Sequence, residues 1–338
     1  MRSGGMSSVK LKDIADQLGL SVTTVSRALS GNGRVKKETC EKVIQLAHES
    51  NYMVNSLARS LRLSDTRSIG IVVPDISNNF FSNVIKGAQE VCHEKGYMLM
   101  VCNSDENAYY EEEALKTLLE KQVSGLIVAS VGSCPEVFSR YSHGNLPVVY
   151  IDNVPAGAKD YDLVSIDNYS AALELTQEVI KRGYREIGMI AGPRRQSSGL
   201  MRYNGFHEAL NDAGISVTPE WIVESEFTLE SGYENMKKIL AGEKMPRAMV
   251  FANNKLAYGA VKAILEKGLR IPEDMAVVSF DAFDHTGLLT PQIVSLNQPA
   301  EEIGKRASEM IVEKLTGTGD ESARHVFLKP FYTDGNSW

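Results

Sequence analysis

Eight side chains, scattered from residue 75 to 281, could act together, and six of them share one kind of position, just after a strand. Asp75, Asn79 and Phe80 follow the apolar run SIGIVVP, and Asp152 ends PVVYID. Asn253 follows AMVFA, Asp281 ends AVVSF, Arg202 opens a helical stretch, and Phe227 offers an aromatic wall. Carboxylates, amides and one guanidinium can exchange hydrogen bonds with hydroxyls, while aromatic rings stack on an apolar face. That is the chemistry of holding a neutral polyhydroxyl molecule. Each polar residue alone reads more often as a helix cap or turn former than as a ligand; the recurrence at strand ends is the signal. Catalysis has thinner support. Asp281, Asp284 and His285 in SFDAFDH are the nearest acid–base group, but they form no defined triad. The chain has no G-x-S-x-G, no phosphate loop and no dinucleotide fingerprint. It therefore reads as a non-enzyme with no catalytic residues and no cofactor.

The elements that would position these residues begin at Ser68, where short β-rich runs alternate with amphipathic helices. The order is SIGIVV, a helix over 80–94, YMLMVCN, a helix over 110–121, GLIVAS and PVVYID. The rhythm then restarts with LVSID and helices over 169–182, 202–213, 230–240 and 256–267, with strands between. This is the βαβ grammar of mostly parallel sheets, in two halves with a cleft between them. Ligands of such sheets bind at the carboxyl ends of the strands. The last strand and helix come from IVSLNQPAEEIGKRASEMIVEKL.

The first 66 residues have a different character. They hold ten Lys/Arg against six Asp/Glu, a charge of +4 on a chain of net charge −7, which leaves −11 on the remainder. A basic head on an acidic body suits nucleic-acid contact by the head alone. Within it, KLKDIADQLGLSVTTVSRAL predicts two helices. Leu11, Ile14, Ala15 and Leu18 make an apolar face, Gly19 a left-handed stop, and Ser21 a cap for the second helix. Val25, Ala28 and Leu29 face inward; Val22, Thr23, Ser26 and Arg27 face outward, as on a helix that reads a major groove. A third helix over 37–50 would bury Cys40, Val43, Ile44 and Ala47, and Arg34, Lys36 and Lys37 would meet phosphates. The short Asn55–Leu61 stretch reads as a linker, or as a segment that turns helical on DNA and wedges Leu61 into a minor-groove step.

Cys40, Cys92, Cys102 and Cys134 lack metal spacing and read as reduced thiols; the histidines form no metal cluster. No apolar run is long enough to span a bilayer and MRSGGMSS has no signal-peptide core, so a cytoplasmic location without a membrane partner is expected. A transport-type solute-binding protein would fit the body but not the basic head.

The motifs KDIADQLGLSVTTVSRALSG, NY…NSLARSL, RSIGIVVPDISNNFF, RYNGF, FANNKLAYGA and SFD…LTPQIVSLNQP, in this order, resemble the LacI/GalR family of bacterial transcription regulators over the whole chain. The resemblance implies an all-α helix-turn-helix head over 6–53 and a hinge helix and linker over 54–67. It implies an α/β body of two periplasmic-binding-protein-like lobes with mostly parallel sheets. The N-terminal lobe would take 68–164 with 293–323, and the C-terminal lobe 165–292 with 324–338. It implies a homodimer, a repressor, on a near-palindromic double-stranded operator. Val22, Thr23 and Arg27 would read bases. Ser21, Thr24, Ser26, Thr39 and Tyr52 would touch the backbone, and Asn55, Ala58 and Leu61 the minor groove. Asp75, Asn79, Phe80, Asp152, Arg202, Phe227, Asn253 and Asp281 would hold a small effector, a sugar or sugar derivative; a protein corepressor or a non-sugar ligand is the alternative. Two departures stand out: Val54 where the family usually has Pro, and Asn254 where it usually has Asp. The C-terminus shows no apolar heptads, so a dimer is expected rather than a four-chain assembly.

Overall fold

The computed structural model describes residues 9–30, 35–50, 52, 66–132, 146–282, 290–319 and 322–338. The chain divides into two compact units, Met1–Thr66 and Arg67–Trp338.

In the first unit, α1 (Leu11–Leu18), α2 (Val22–Ser30) and α3 (Lys37–Glu49) enclose a small core. Ile14, Ala15, Val25, Ala28, Val43 and Ala47 are its buried members. Gly19 ends α1 at φ 62°, a conformation that only a residue without Cβ adopts freely. Ser21 then caps α2: its Oγ accepts from the Thr24 N–H at 3.1 Å. The expected face of α3 needs one correction. Ile44 is 55% exposed, and Leu46 packs against the core beside Val43 and Ala47. The stripe therefore runs along the other flank of the helix.

The second unit holds two six-stranded sheets. The first contains β1 (Ser68–Val73), β2 (Met98–Asn103), β3 (Gly125–Val128), β4 (Val148–Ile151), β5 (Asp162–Ser165) and β11 (His325–Phe327). Its order is β11-β5-β4-β3-β1-β2, all parallel. Against it lie α4 (Asn79–Glu94), α5 (Ala108–Glu120) and α10 (Ala300–Leu315). The second sheet contains β6 (Ile187–Ala191), β7 (Ile222–Glu224), β8 (Ala248–Phe251), β9 (Ala276–Phe280), β10 (Val294–Asn297) and β12 (Phe331–Thr333). Its order is β12-β10-β9-β8-β6-β7, and only the β10–β12 pair is antiparallel. Its helices are α6 (Asn168–Lys181), α7 (Ser197–Asp212), α8 (Leu229–Leu240) and α9 (Asn254–Glu266). The central strands are buried on both faces, which is why they read as unbroken apolar runs rather than alternating ones.

Two returns of the chain differ from expectation. Residues 293–297 were assigned to the first lobe, but β10 pairs with β9 in the second sheet, and the chain comes back only with α10. Residues 324–328 were assigned to the second lobe, but β11 pairs with β5 in the first. LVSID likewise closes the first sheet instead of opening the second. A short apolar strand carries no label of the sheet it joins. The packing of α4 on α10 is a tertiary decision of the same kind. A Cβ on Gly304 would collide with the Val84 carbonyl, and one on Gly87 with the Glu301 carbonyl, so the two helices meet backbone to backbone.

Candidate functional site

The carboxyl ends of eight strands converge between the two lobes. Asn78 and Phe80 follow β1, Glu106 follows β2, and Asp152 and Asn153 follow β4. From the second sheet, Gln196, Ser198 and Arg202 follow β6, and Phe227 follows β7. Asn253 and Asn254 follow β8, Asp281 follows β9, and Gln298 follows β10. The cavity they enclose is about 30 Å³, room for a single water. A ligand of ordinary size needs several hundred Å³, so the cleft is closed and must open to admit one.

Polar contacts across the cleft hold it shut. The Asn78 and Asn254 amides each donate to the other, at 3.2 and 2.9 Å. Lys255 Nζ sits 3.2 Å from Asp75 and donates to Ser77 Oγ at 2.9 Å. Asn153 Oδ1 accepts the Ser198 N–H at 2.8 Å, so one lobe caps the first turn of a helix in the other. Gln196 Nε2 donates to Glu106 Oε2 at 2.9 Å.

Arg202 lies at the centre, almost fully buried. It does not open its helix as expected: α7 begins at Ser197, and Arg202 belongs to the second turn. Its Nε donates to Asn168 Oδ1 at 2.8 Å, Nη1 donates to the Ala252 carbonyl, and the guanidinium stacks 4.1 Å from the Phe280 ring centre. Nη2 faces Asp152 Oδ1 at 3.9 Å, too far for a hydrogen bond, and neither atom has another partner. Gln298 Oε1 is likewise buried without one. Asp281 is engaged: Oδ1 accepts the Gln298 N–H at 2.8 Å and Oδ2 its side-chain amide at 2.9 Å.

Burial raises the carboxyl pKa values in this confined space. Asp152 is pushed up to about 6, burial and the Asp281 charge outweighing the attraction of Arg202. Burial also raises Asp281, and it lowers Arg202. Glu106 is pushed up to about 7 by burial, despite the Gln196 hydrogen bond, with help from the charges of Asp152, Glu226 and Asp75. Asp75 behaves differently: burial pulls its pKa upward, but hydrogen bonds from Ser77 and Lys255 hold it below the usual range.

Six of the eight expected residues thus line one cavity: Phe80, Asp152, Arg202, Phe227, Asn253 and Asp281. Two do not. Asp75 stands at the rim, tied to Lys255, and Asn79 is exposed, lining an adjoining open cavity with Phe80, Asp281 and Gln298, while its neighbour Asn78 faces in. Asn78 also caps that helix, accepting the Phe80 N–H at 3.1 Å, and Asn253 caps α9 through the Leu256 N–H at 2.9 Å. Glu106, Asn153, Gln196, Ser198 and Gln298 were missed. The strand-end rule reaches Glu106 after β2 and Gln196 after β6 once it is applied to every strand. Asp284 and His285 lie outside the described residues. Among the described residues no group of three His, Cys, Asp or Glu is placed to hold a metal ion. No described helix is long and apolar enough to cross a membrane.

In the head, Val22 is 44% exposed, with Ser21, Thr23 and Arg27 also on the outside. Thr24, Ser26 and Thr39 are half-buried, and the Thr24 hydroxyl bonds Ser21 Oγ at 2.8 Å. Tyr52 packs against the head's core. Arg34, Val54, Asn55, Ala58 and Leu61 lie outside the described residues.

The comparisons with known proteins agree with this geometry. Residues 10–55 match the family described as bacterial regulatory proteins, lacI family. Residues 66–333 match the periplasmic binding proteins and sugar binding domain of the LacI family. The HTH-type transcriptional repressor PurR of Pasteurella multocida (strain Pm70) is 33% identical over 93% of this chain and 94% of its own. A putative ribose operon repressor from Burkholderia thailandensis superposes with a TM-score of 0.72 at 28% identity, over 79% of this chain and 98% of that one. The Lac repressor dimer bound to operator shares the fold at a TM-score of 0.85 and 22% identity, over 98% of this chain and 99% of that one. The chain belongs to the LacI family and is a DNA-binding transcriptional repressor, with a helix-turn-helix head and a two-lobed α/β body.

Proposed function

We propose that this repressor is controlled by a small, neutral, hydroxyl-rich effector of the sugar class, bound between the lobes of the body. The observation that carries this is the 3.9 Å gap between Arg202 Nη2 and Asp152 Oδ1. One is a buried donor and the other a buried acceptor, and leaving both unsatisfied is costly. A ligand hydroxyl accepts from the first and donates to the second. Phe80 and Phe227 supply apolar faces for the ring. A solved relative, the transcriptional regulator CelR, is described in complex with cellobiose; it is 25% identical to this chain.

The head reads its operator through Val22, Thr23 and Arg27. Ser21, Thr24, Ser26, Thr39 and Tyr52 meet the backbone, and Asn55, Ala58 and Leu61 the minor groove. The exposed, small or hydroxylated face of α2 supports this reading. The protein acts as a homodimer in the cytoplasm on a near-palindromic site. Opening or closing of the cleft is linked to operator affinity, so effector and DNA change each other's binding by one factor. The test selects operator fragments from a random DNA pool with the purified protein, then measures their affinity by fluorescence anisotropy against a series of mono- and disaccharides. A selected site whose affinity shifts with a sugar supports the reading. A site whose affinity no sugar alters, but a nucleobase does, overturns the sugar class.

A further inference from the structure

Three acids line the cleft, and all three hold left-handed backbone: Glu106 at φ 54°, Asp152 at φ 56° and Asp281 at φ 53°. Only seven described non-glycine residues have positive φ. Such conformations are strained for residues with a Cβ and gather where surrounding structure over-determines a functional geometry. Asp152 and Asp281 share the charge of Arg202, which draws both carboxyls toward ionisation. The acids at the rim have their own cations: Asp75 has Lys255 at 3.2 Å, and Glu226 has Arg195 at 2.8 and 2.5 Å. Glu106 is different: it lies in the field of Arg195, but that guanidinium is bound to Glu226. The hydrogen bond of Glu106 is to the neutral amide of Gln196, reaching across from the other lobe, at 2.9 Å. The loop after β2 places it there, with its N–H held on the Pro74 carbonyl at 3.1 Å.

The cavity therefore carries three carboxyls against one guanidinium. Its unsatisfied buried atoms are two acceptors, Asp152 Oδ1 and Gln298 Oε1, and one donor, Arg202 Nη2. A phosphate or carboxylate offers acceptors only, so it could meet the one donor but neither acceptor, and it would stand beside three acids. A hydroxyl or an N–H meets both kinds of atom.

We propose that Glu106 is a specificity-determining residue of the effector cleft, one that accepts a hydroxyl or N–H of the bound molecule in place of Gln196 and rejects phosphorylated and carboxylated effectors. The proposal rests on the reading of this cleft as the effector site. It predicts that the effector binds without a phosphate, and that Glu106→Gln, which keeps the shape but removes the charge, relaxes the rejection.

The experiment is a thermal-shift series on the full-length protein and on E106Q. The probes are glucose, ribose, glucosamine and adenosine, each beside its monophosphate, at constant ionic strength. The expected result is a Tm rise with at least one unphosphorylated member and none with its phosphate. At about pH 8, where Glu106 is mostly ionised, the affinity ratio within that pair should narrow in E106Q by at least about tenfold, as expected when a close like charge is removed from a shielded site. A monophosphate that stabilises the protein as much as its parent overturns the proposal and leaves a small-molecule effector standing. An unchanged ratio in E106Q overturns the role of Glu106. No shift with any probe or with a deproteinised cell extract overturns the underlying reading of the cleft as well.

Discussion

Glu106→Gln should flatten the pH dependence of stability. In the closed cleft the Glu106 pKa lies at about 7, against 4.5 for an unburied glutamate. The folded protein therefore holds this proton more tightly than the unfolded chain. A raised carboxyl contributes stability that is complete below pH 4.5 and is lost as pH rises through 7. At 1.36 kcal/mol per unit, that shift corresponds to about 3 kcal/mol between its two limits. For a body of this size such a change moves Tm by roughly 6–10 °C. Melting curves of wild type and E106Q at half-unit intervals from about pH 4.5 to pH 8 and fixed ionic strength would show it. The wild type should fall toward the variant, or below it, as pH rises. Asp152, raised to about 6, titrates in the same window in both proteins, so the difference between the curves isolates Glu106 to first order. Parallel curves would refute the closed, water-poor environment from which the shift arises.

Other perturbations probe the remaining parts. Arg27→Ala should cost on the order of 1–3 kcal/mol of operator affinity and relax preference at particular base pairs; a uniform loss over all sequences, read by anisotropy on single-base variants, would remove its base-reading role. Leu61→Ala should weaken binding to the specific site far more than to random DNA, and equal losses would mean that the leucine does not wedge into the minor groove. Gly192→Ala places a methyl against the Phe227 ring, so that this cleft wall must shift, and sugar affinity measured by calorimetry should drop while DNA binding persists. Asn254→Asp exchanges a donor for an acceptor opposite Asn78 Oδ1, removing about 1 kcal/mol of closure; small-angle scattering should report a larger radius of gyration, and an unchanged radius would show that the amide pair does not hold the lobes.

Much of this molecule is local in origin and was therefore legible in the sequence. The left-handed Gly19 and the Ser21 cap depend on a few neighbouring residues, and they mark the helix-turn-helix without tertiary help. The apolar strands and the residues at their carboxyl ends follow from period and topology, which is how Phe80, Asp152, Asn253 and Asp281 are legible. What only the tertiary structure decided is which lobe owns each short strand, and which of two adjacent polar residues faces the cleft. Neither β10 nor β11 names its sheet: β10 stays with its near neighbour β9, whereas β11 joins β5, about 160 residues back. Asn78 and Asn79 differ by one position, and the phase of α4 against the sheet turns one inward and the other to solvent. The strand-end rule reaches Glu106 after β2, but nothing near it in sequence announces its partner 90 residues away. Its raised pKa comes from burial between two lobes, an environment that exists only once the chain has crossed between them three times.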